Sequence, residues 1–322
     1  MQNKAERGGK VAHFIFLDWS KAFDKIDNNM LLQTLNDLGV DKHLVKLCGE
    51  IYRIKKFFVD IENVQSTTHD QNTGIRQGCP LSPYLFVLVM DVIMKNIKSD
   101  PAYVNAENMG IPFAELLYAD DTVIFSDNHK SLETTLHLLQ REGRKFGLTL
   151  NLSKCVHISI NESKDIKFDN LSTVPKDRNT IYLGADINNK TAPSEEISRR
   201  IRETTVVWKK MAKLWIRAKI PTHKKVQYYN AVVRAKLTYG LETLNMTLQQ
   251  KARLRAFHAK GLRQILKKKH PYHCRHNTNE RIFLAANNLV RIAERNKEYK
   301  RKNATKWFLK HPKKRKSQKS TK

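Results

Sequence analysis

Residues 116–125 read Leu-Leu-Tyr-Ala-Asp-Asp-Thr-Val-Ile-Phe, two apolar runs pinched around Tyr118-Ala119-Asp120-Asp121. Apolar, β-branched arms about a short polar interruption predict a β-hairpin between buried strands with two carboxylates at its turn. Adjacent acids repel, and burying either one unpaired shifts its pKa or costs free energy. A divalent cation relieves both problems. Oxygen-only ligands in a partly dry site suit Mg²⁺, which takes few carboxylates and shares its shell with substrate phosphates. Asp-Asp pairs also occur in ordinary turns, so a third carboxylate is needed to give this one weight. It stands upstream: His13-Phe-Ile-Phe-Leu-Asp18 is an apolar run ending in an acid, a buried strand delivering Asp18 at its rim. Asp18 and Asp120 could hold two metal ions side by side. That arrangement activates an attacking oxygen and stabilises a leaving one in an in-line phosphoryl displacement.

A substrate loop lies between the two. Residues 74–83 read Gly-Ile-Arg-Gln-Gly-Cys-Pro-Leu-Ser-Pro, and an apolar, helix-like run follows from Tyr84 to Met94. Gly74 and Gly78 let backbone approach a ligand closely, and Pro80 and Pro83 stiffen the start of the helix. Arg76 and Gln77 place a cation and an amide where they can face phosphate or base. Asp24 and Asp27 read as helix N-terminal acids, ahead of a helical pattern through Ile26, Met30, Leu31, Leu35 and Leu38.

These segments, in this order, resemble motifs A, B and C of reverse transcriptases, most closely those of non-LTR (LINE-type) retrotransposons. The segment Phe146–Lys154 resembles motif D, Tyr182-Leu183-Gly184 resembles motif E, and Tyr239-Gly240-Leu241-Glu242 with the following basic helix resembles the thumb; the match spans about residues 11–270. The resemblance implies an α+β fold, a right-hand polymerase palm built as an antiparallel sheet with packed helices and the Asp-Asp hairpin, followed by an all-helical thumb. The implied boundaries are a palm over 1–185 with partial fingers at about 40–75, a helical basic thumb over 186–300, and a disordered basic tail over 301–322.

Carried over residue by residue, Asp18, Asp120 and Asp121 would be the catalytic carboxylates. The Mg²⁺ ligands would be Asp18 and Asp120, with Asp121 and the Trp19 carbonyl adding oxygens and Mn²⁺ able to substitute. Strand alternation points Asp121 away from Asp120, which leaves open a role behind the metal ligands. Phe23 matches an aromatic gate beneath the sugar, where a ring clashes with a ribose 2′-OH and favours deoxynucleotides. Arg76, Gln77 and Gly78 would line the nucleotide and template site, and Tyr118 the primer end. Lys154 is the candidate proton donor near the leaving pyrophosphate, with Lys145 as the alternative. The implied partners are an RNA template, a DNA primer and dNTPs.

Charge divides unevenly along the chain. Residues 1–185 carry 22 Lys and Arg against 23 Asp and Glu, net −1, whereas residues 186–322 carry 37 against 8, net +29. So lopsided a basic region is an electrostatic footprint for nucleic acid. Its patterning predicts a helix capped by Ser194, a second from Pro221-Thr222, a third over about 249–267, and a short one over 281–295. Lys313-Lys314-Arg315-Lys316 fits a nuclear-localisation patch, a solvated tail being the alternative.

Four scattered cysteines (48, 79, 155 and 274) imply a reducing, intracellular setting. His270, His273, Cys274 and His276 are either a zinc cluster or a nucleic-acid-facing histidine group. No apolar run is long enough for a membrane span. Only 17 residues precede Asp18, whereas the family carries most of its fingers before that strand. The chain is therefore expected to be a piece of a longer polyprotein, its endonuclease on a missing segment, or a degenerate copy. Two readings follow: an RNA-directed DNA polymerase core, or an inactive nucleic-acid-binding relic of one. A group II intron-type maturase is a third, against which the thumb resemblance speaks.

Overall fold

The computed structural model describes residues 5, 8–53, 56–71, 73–103, 114–188, 193–217 and 219–310. It divides into two compact units, 1–191 and 192–322.

The first unit is organised by one strand. β1 (Ala12–Leu17) is buried on both faces, as a central strand is; His13 is its one polar side chain, held by Glu162 at 2.9 Å, and only Phe14 within it is less than fully buried. It pairs antiparallel with β7 (Asp121–Ser126) on one side and β8 (Val156–Ile160) on the other. The sheet order is β6-β7-β1-β8, with β6 (Glu115–Tyr118) at the edge. The hairpin arm over 116–118 is therefore not a buried strand, as its apolar composition suggests. Leu116, Leu117 and Tyr118 are exposed, because an edge strand has no neighbour on its outer side.

Alternation along β1 separates two cores. Ile15 and Leu17 face the main core, which α4 (Ser82–Ser99) and α5 (His129–Lys145) close. Phe14 and Phe16 face the opposite side, where Val123, Phe125 and Ile158 are covered by Tyr182 and Ile187 of the β9–β10 hairpin (Asn179–Tyr182 and Ala185–Asn188). α4 buries Leu85, Phe86, Val89, Met90, Ile93 and Ile97, a helical stripe running the length of the segment. Asn128 caps α5 by accepting from the Lys130 and Ser131 amides.

Short helices join β1 to the substrate loop: α1 (Ala22–Lys25), α2 (Asn28–Asp37) and α3 (Lys42–Arg53). Asp27 is the N-cap of α2, accepting from the Asn29 and Met30 amides at 2.9 Å, as its position in sequence suggests. Beyond α3 the chain forms two minimal ribbons, β2 (Lys56–Phe57) with β5 (His69–Asp70) and β3 (Asp60–Ile61) with β4 (Val64–Gln65).

The second unit is helical: α6 (Pro193–Arg217), α7 (Thr222–Tyr228), a π-helical turn over Tyr229–Arg234, α8 (Ala235–Thr238), α9 (Leu248–Leu266) and α10 (Asn279–Lys310). Trp215, Val226, Tyr229, Val233, Leu262, Ile265, Ile282 and Ala286 form its core. Gly261 makes room for the Tyr229 ring, since a Cβ there would lie 2.4 Å from the hydroxyl. Three expectations change. Ser194 lies inside α6, which opens on Pro193, a residue pre-set for the first helical turn. The segment over 281–295 is not a short helix but part of the 32-residue α10. Residues 301–310, expected as tail, continue that helix, whose sequence there contains no Gly or Pro to stop it; residues 311–322, with the basic Lys313–Lys316 patch, lie outside the described residues. No helix among the described residues is long and apolar enough to cross a membrane.

One position tests how the layers meet. Gly147 ends α5 at φ +77°, and a Cβ there would sit 2.4 Å from the Lys25 carbonyl oxygen. Gly39 has a similar φ, +74°, with nothing within 4 Å. Gly147→Ala should therefore cost clearly more stability in urea unfolding than Gly39→Ala, which carries only the backbone strain of about 1 kcal/mol.

Candidate active site

The register of the sheet builds the site. Leu17 pairs with Thr122, so the next step along β1 brings Asp18 beside Asp121 at the mouth of the β6–β7 hairpin. Tyr118 pairs with Asp121, leaving Ala119 and Asp120 as a two-residue tip, with Ala119 at φ +54°. The three aspartates thus meet at one end of the sheet. Their crowding has an electrostatic consequence: the Asp121 carboxyl is pushed up from its ordinary value, first by partial loss of water and then by the Asp120 and Asp18 charges. The residue remains solvent-accessible nonetheless.

Behind Asp18 the backbone is pinned on both sides. Ser20 donates to the Thr149 carbonyl at 2.8 Å and Asn151 donates to the Asp18 carbonyl at 2.8 Å. Trp19 faces Leu150 between those two bonds, which leaves the Trp19 carbonyl out of the ladder. Its indole is buried and donates to Thr122 Oγ1 at 3.1 Å, locking β1 to β7 one residue below the aspartates. Lys25 Nζ donates to Thr149 Oγ1 at 2.9 Å and to Ser20 Oγ at 3.3 Å, tying the same strap from outside.

The geometry separates the two candidate lysines. Lys154 Nζ stands 3.7 Å from Asp18 Oδ2. Lys145 is held by Glu142 at 2.8 Å, in a local helical ion pair. Only Lys154 joins the aspartates.

The substrate loop docks on α1 through its backbone. Ile75 donates to the Phe23 carbonyl and Gly74 to the Ile26 carbonyl, both at 2.7 Å. A Cβ on Gly74 (φ +85°) would meet the Asp24 backbone at 2.5 Å, so only glycine permits this approach. Gly78, at φ +81°, faces open space. Ser82 Oγ holds the Arg76 carbonyl at 2.7 Å, while Arg76 and Gln77 themselves are exposed. The Phe23 ring stacks on Phe86 of α4, with centroids 4.9 Å apart and planes at 13°, which fixes its orientation. Tyr118 is exposed beside the hairpin tip.

Two contacts of the site escape a reading of sequence alone. Asp24, read there as a helix-terminal acid, accepts from Gln77 Nε2 at 3.0 Å and so orients the loop amide. Tyr182 reaches from the β9–β10 hairpin to donate to the Asp121 carbonyl at 3.4 Å, and its ring packs on Phe16. Neither contact has a local sequence signal, since each joins segments more than 50 residues apart.

Among the described residues no three His, Cys, Asp or Glu side chains stand in a metal-ligating arrangement. That holds for the three aspartates as they lie and for His270, His273, Cys274 and His276; His276 Nδ1 instead lies 3.2 Å from Arg281 Nη1. The aspartates nevertheless suit a hard divalent cation. Their donors are all carboxylate oxygens, and the charge repulsion on Asp121 is what a cation would relieve.

Residues 2–187 match the family profile described as reverse transcriptase (RNA-dependent DNA polymerase). The chain belongs to the reverse transcriptase family. It is 26% identical over 253 residues to the retrovirus-related Pol polyprotein from type-1 retrotransposable element R2 of Popillia japonica, covering 74% of this chain and 34% of that protein. It is 30% identical over 144 residues to the retrovirus-related Pol polyprotein from type-2 retrotransposable element R2DM of Drosophila melanogaster, covering 45% of this chain and 13% of that one. The reverse transcriptase is thus of the non-LTR retrotransposon kind, and the chain spans about a third or less of the length of these relatives. A telomerase structure from Candida albicans, in complex with a fragment of telomeric RNA, aligns over 84% of this chain and 50% of that one, at 9% identity and a TM-score of 0.47.

The crowding makes a prediction. An acid whose pKa is raised by folding favours the folded state below its unfolded pKa and loses that contribution as pH rises through its folded value. Asp120→Asn removes one of the charges raising Asp121. The Asp121 titration midpoint, followed by carboxyl NMR in metal-free protein, should fall towards the ordinary value. An unchanged midpoint would mean that the Asp120 charge does not reach it.

Proposed function

We propose that the chain is the palm and thumb of an RNA-directed DNA polymerase, extending a DNA 3′-OH on an RNA template with dNTPs. One observation carries this reading: the sheet register and hairpin tip bring Asp18, Asp120 and Asp121 together beside Lys154. Asp18, Asp120 and the Trp19 carbonyl would hold Mg²⁺, or Mn²⁺ in its place, with Asp121 beside them. Two bound ions supply activation of the attacking hydroxyl and stabilisation of the leaving oxygen.

The protein's own groups do the positioning. Gln77, oriented by Asp24, and the open backbone at Gly78 present an amide and a close approach to the nucleotide or template. Arg76 lies on the exposed loop beside them. Phe23, fixed by its stack on Phe86, stands beneath the sugar and excludes a 2′-OH. Tyr118 lines the primer end. Lys154 sits close enough to Asp18 to stabilise developing charge on the pyrophosphate and to donate a proton to it. The basic helical unit, home to the excess positive charge, grips the template–primer duplex through its backbone shape. The basic segment Lys313–Lys316 supports nuclear residence.

The deciding assay is dTTP incorporation on poly(rA)/oligo(dT) with Mg²⁺ or Mn²⁺. Asp120→Asn should reduce incorporation by about a thousandfold or more, the equivalent of several kcal/mol of transition-state stabilisation. Equal incorporation by the variant refutes the assignment. No incorporation by the wild type, with salt-sensitive duplex binding retained, supports the relic reading instead.

Substrate choice tests Phe23 separately. Phe23→Ala should raise the kcat/KM for ribonucleotides relative to deoxynucleotides by roughly tenfold or more, the worth of about 1.4 kcal/mol. An unaltered ratio would remove the ring from sugar selection.

A further inference from the structure

The helical unit contains a cleft of about 780 Å³ lined by Phe257, Lys260, Arg263, Lys267, Lys268 and His270 among others, with no acidic side chain among the described residues of its wall. Arg263 is the anomaly. It is 6% exposed. Its Nη2 donates to the Asn277 carbonyl at 3.0 Å and to Asn279 Oδ1 at 2.6 Å, while its Nε is shielded from water with no acceptor among the described residues. No carboxylate pairs with it there, and Glu280, next to Asn279, is held by Arg255 at 2.8 Å. An arginine keeps its charge at any ordinary pH, so this is a buried cation without a counter-charge. Arg263 stands in the last turn of α9, and Lys267 and Lys268 follow at its C-terminus, so the negative end of the helix dipole favours all three; that partial charge at a helix end does not amount to a counter-charge for a buried guanidinium.

We infer that this cleft is a phosphate-binding site, in which an anion balances Arg263 and the exposed Lys267 and Lys268 close over it. The half-buried Phe257 gives the cleft an apolar wall against which a base or sugar can lie. A nucleic-acid strand and free phosphate share this chemistry. The strand as source rests on the polymerase reading; the anion site itself does not.

The test uses the full chain without dNTPs or divalent cation, so that loss of the catalytic reading would leave it intact. Inorganic phosphate should raise the melting temperature of the wild type relative to chloride at matched ionic strength. Lys267→Ala/Lys268→Ala should lose most of that rise, whereas Lys219→Ala/Lys251→Ala, which removes the same charge elsewhere, should keep it. Anisotropy of a labelled single-stranded RNA supplies the second arm. A log–log salt slope reduced by about 1.4 in Lys267→Ala/Lys268→Ala, beyond any change in the control pair, identifies the strand as ligand. A lost rise with slopes equal in the two pairs identifies free phosphate. No rise in the wild type, or the same rise in both pairs, overturns the site.

Discussion

Everything at the candidate active site depends on the antiparallel pairing of β1 with β7. Because the side-chain period of a strand is two residues, a slip of one position would turn Ile15 and Leu17 to the wrong face and part Asp18 from Asp121. Two cores of different composition hold the register, one closed by helices and one by the β9–β10 hairpin. The buried Trp19–Thr122 hydrogen bond pins it at the catalytic end. Catalytic geometry and hydrophobic sorting are therefore specified by the same set of contacts.

The connections around that sheet work by backbone contact more than by side chains. Gly74 and Gly147 bring two separate loops against the short segment Asp24–Asp27 at distances that no Cβ allows. Through them the substrate loop and the strap that carries Lys154 share one support. Asp24 belongs to both arrangements: its backbone meets Gly74 and its carboxylate holds Gln77. The chain thus fixes an exposed amide without burying it, which suits a group that must meet a ligand.

How much was legible in the sequence follows from the range of each interaction. The apolar run ending in Asp18, the hairpin around Asp120 and the glycine-rich loop are local patterns, and the structure has a strand, a hairpin and a docked loop at those places. The ordered motifs also pointed to the family that the match over residues 2–187 shows. What could not be read were pairings across long separations: Asp24 with Gln77 and Tyr182 with Asp121. Composition misled at β6, where apolar residues lie on an exposed edge, and beyond residue 300, where charge suggested disorder and the helix persists.

Ala119 carries a consequence of its own. Its φ of +54° lies in the left-handed well, which for a residue with a Cβ spans only about 20° in φ. A glycine would occupy the same turn with less strain but would roam over a much wider range. The methyl group therefore acts as a mechanical stop, narrowing the directions in which Asp120 can be aimed. The hairpin trades a little local stability for angular precision, as a hinge is stiffened by a close-fitting pin.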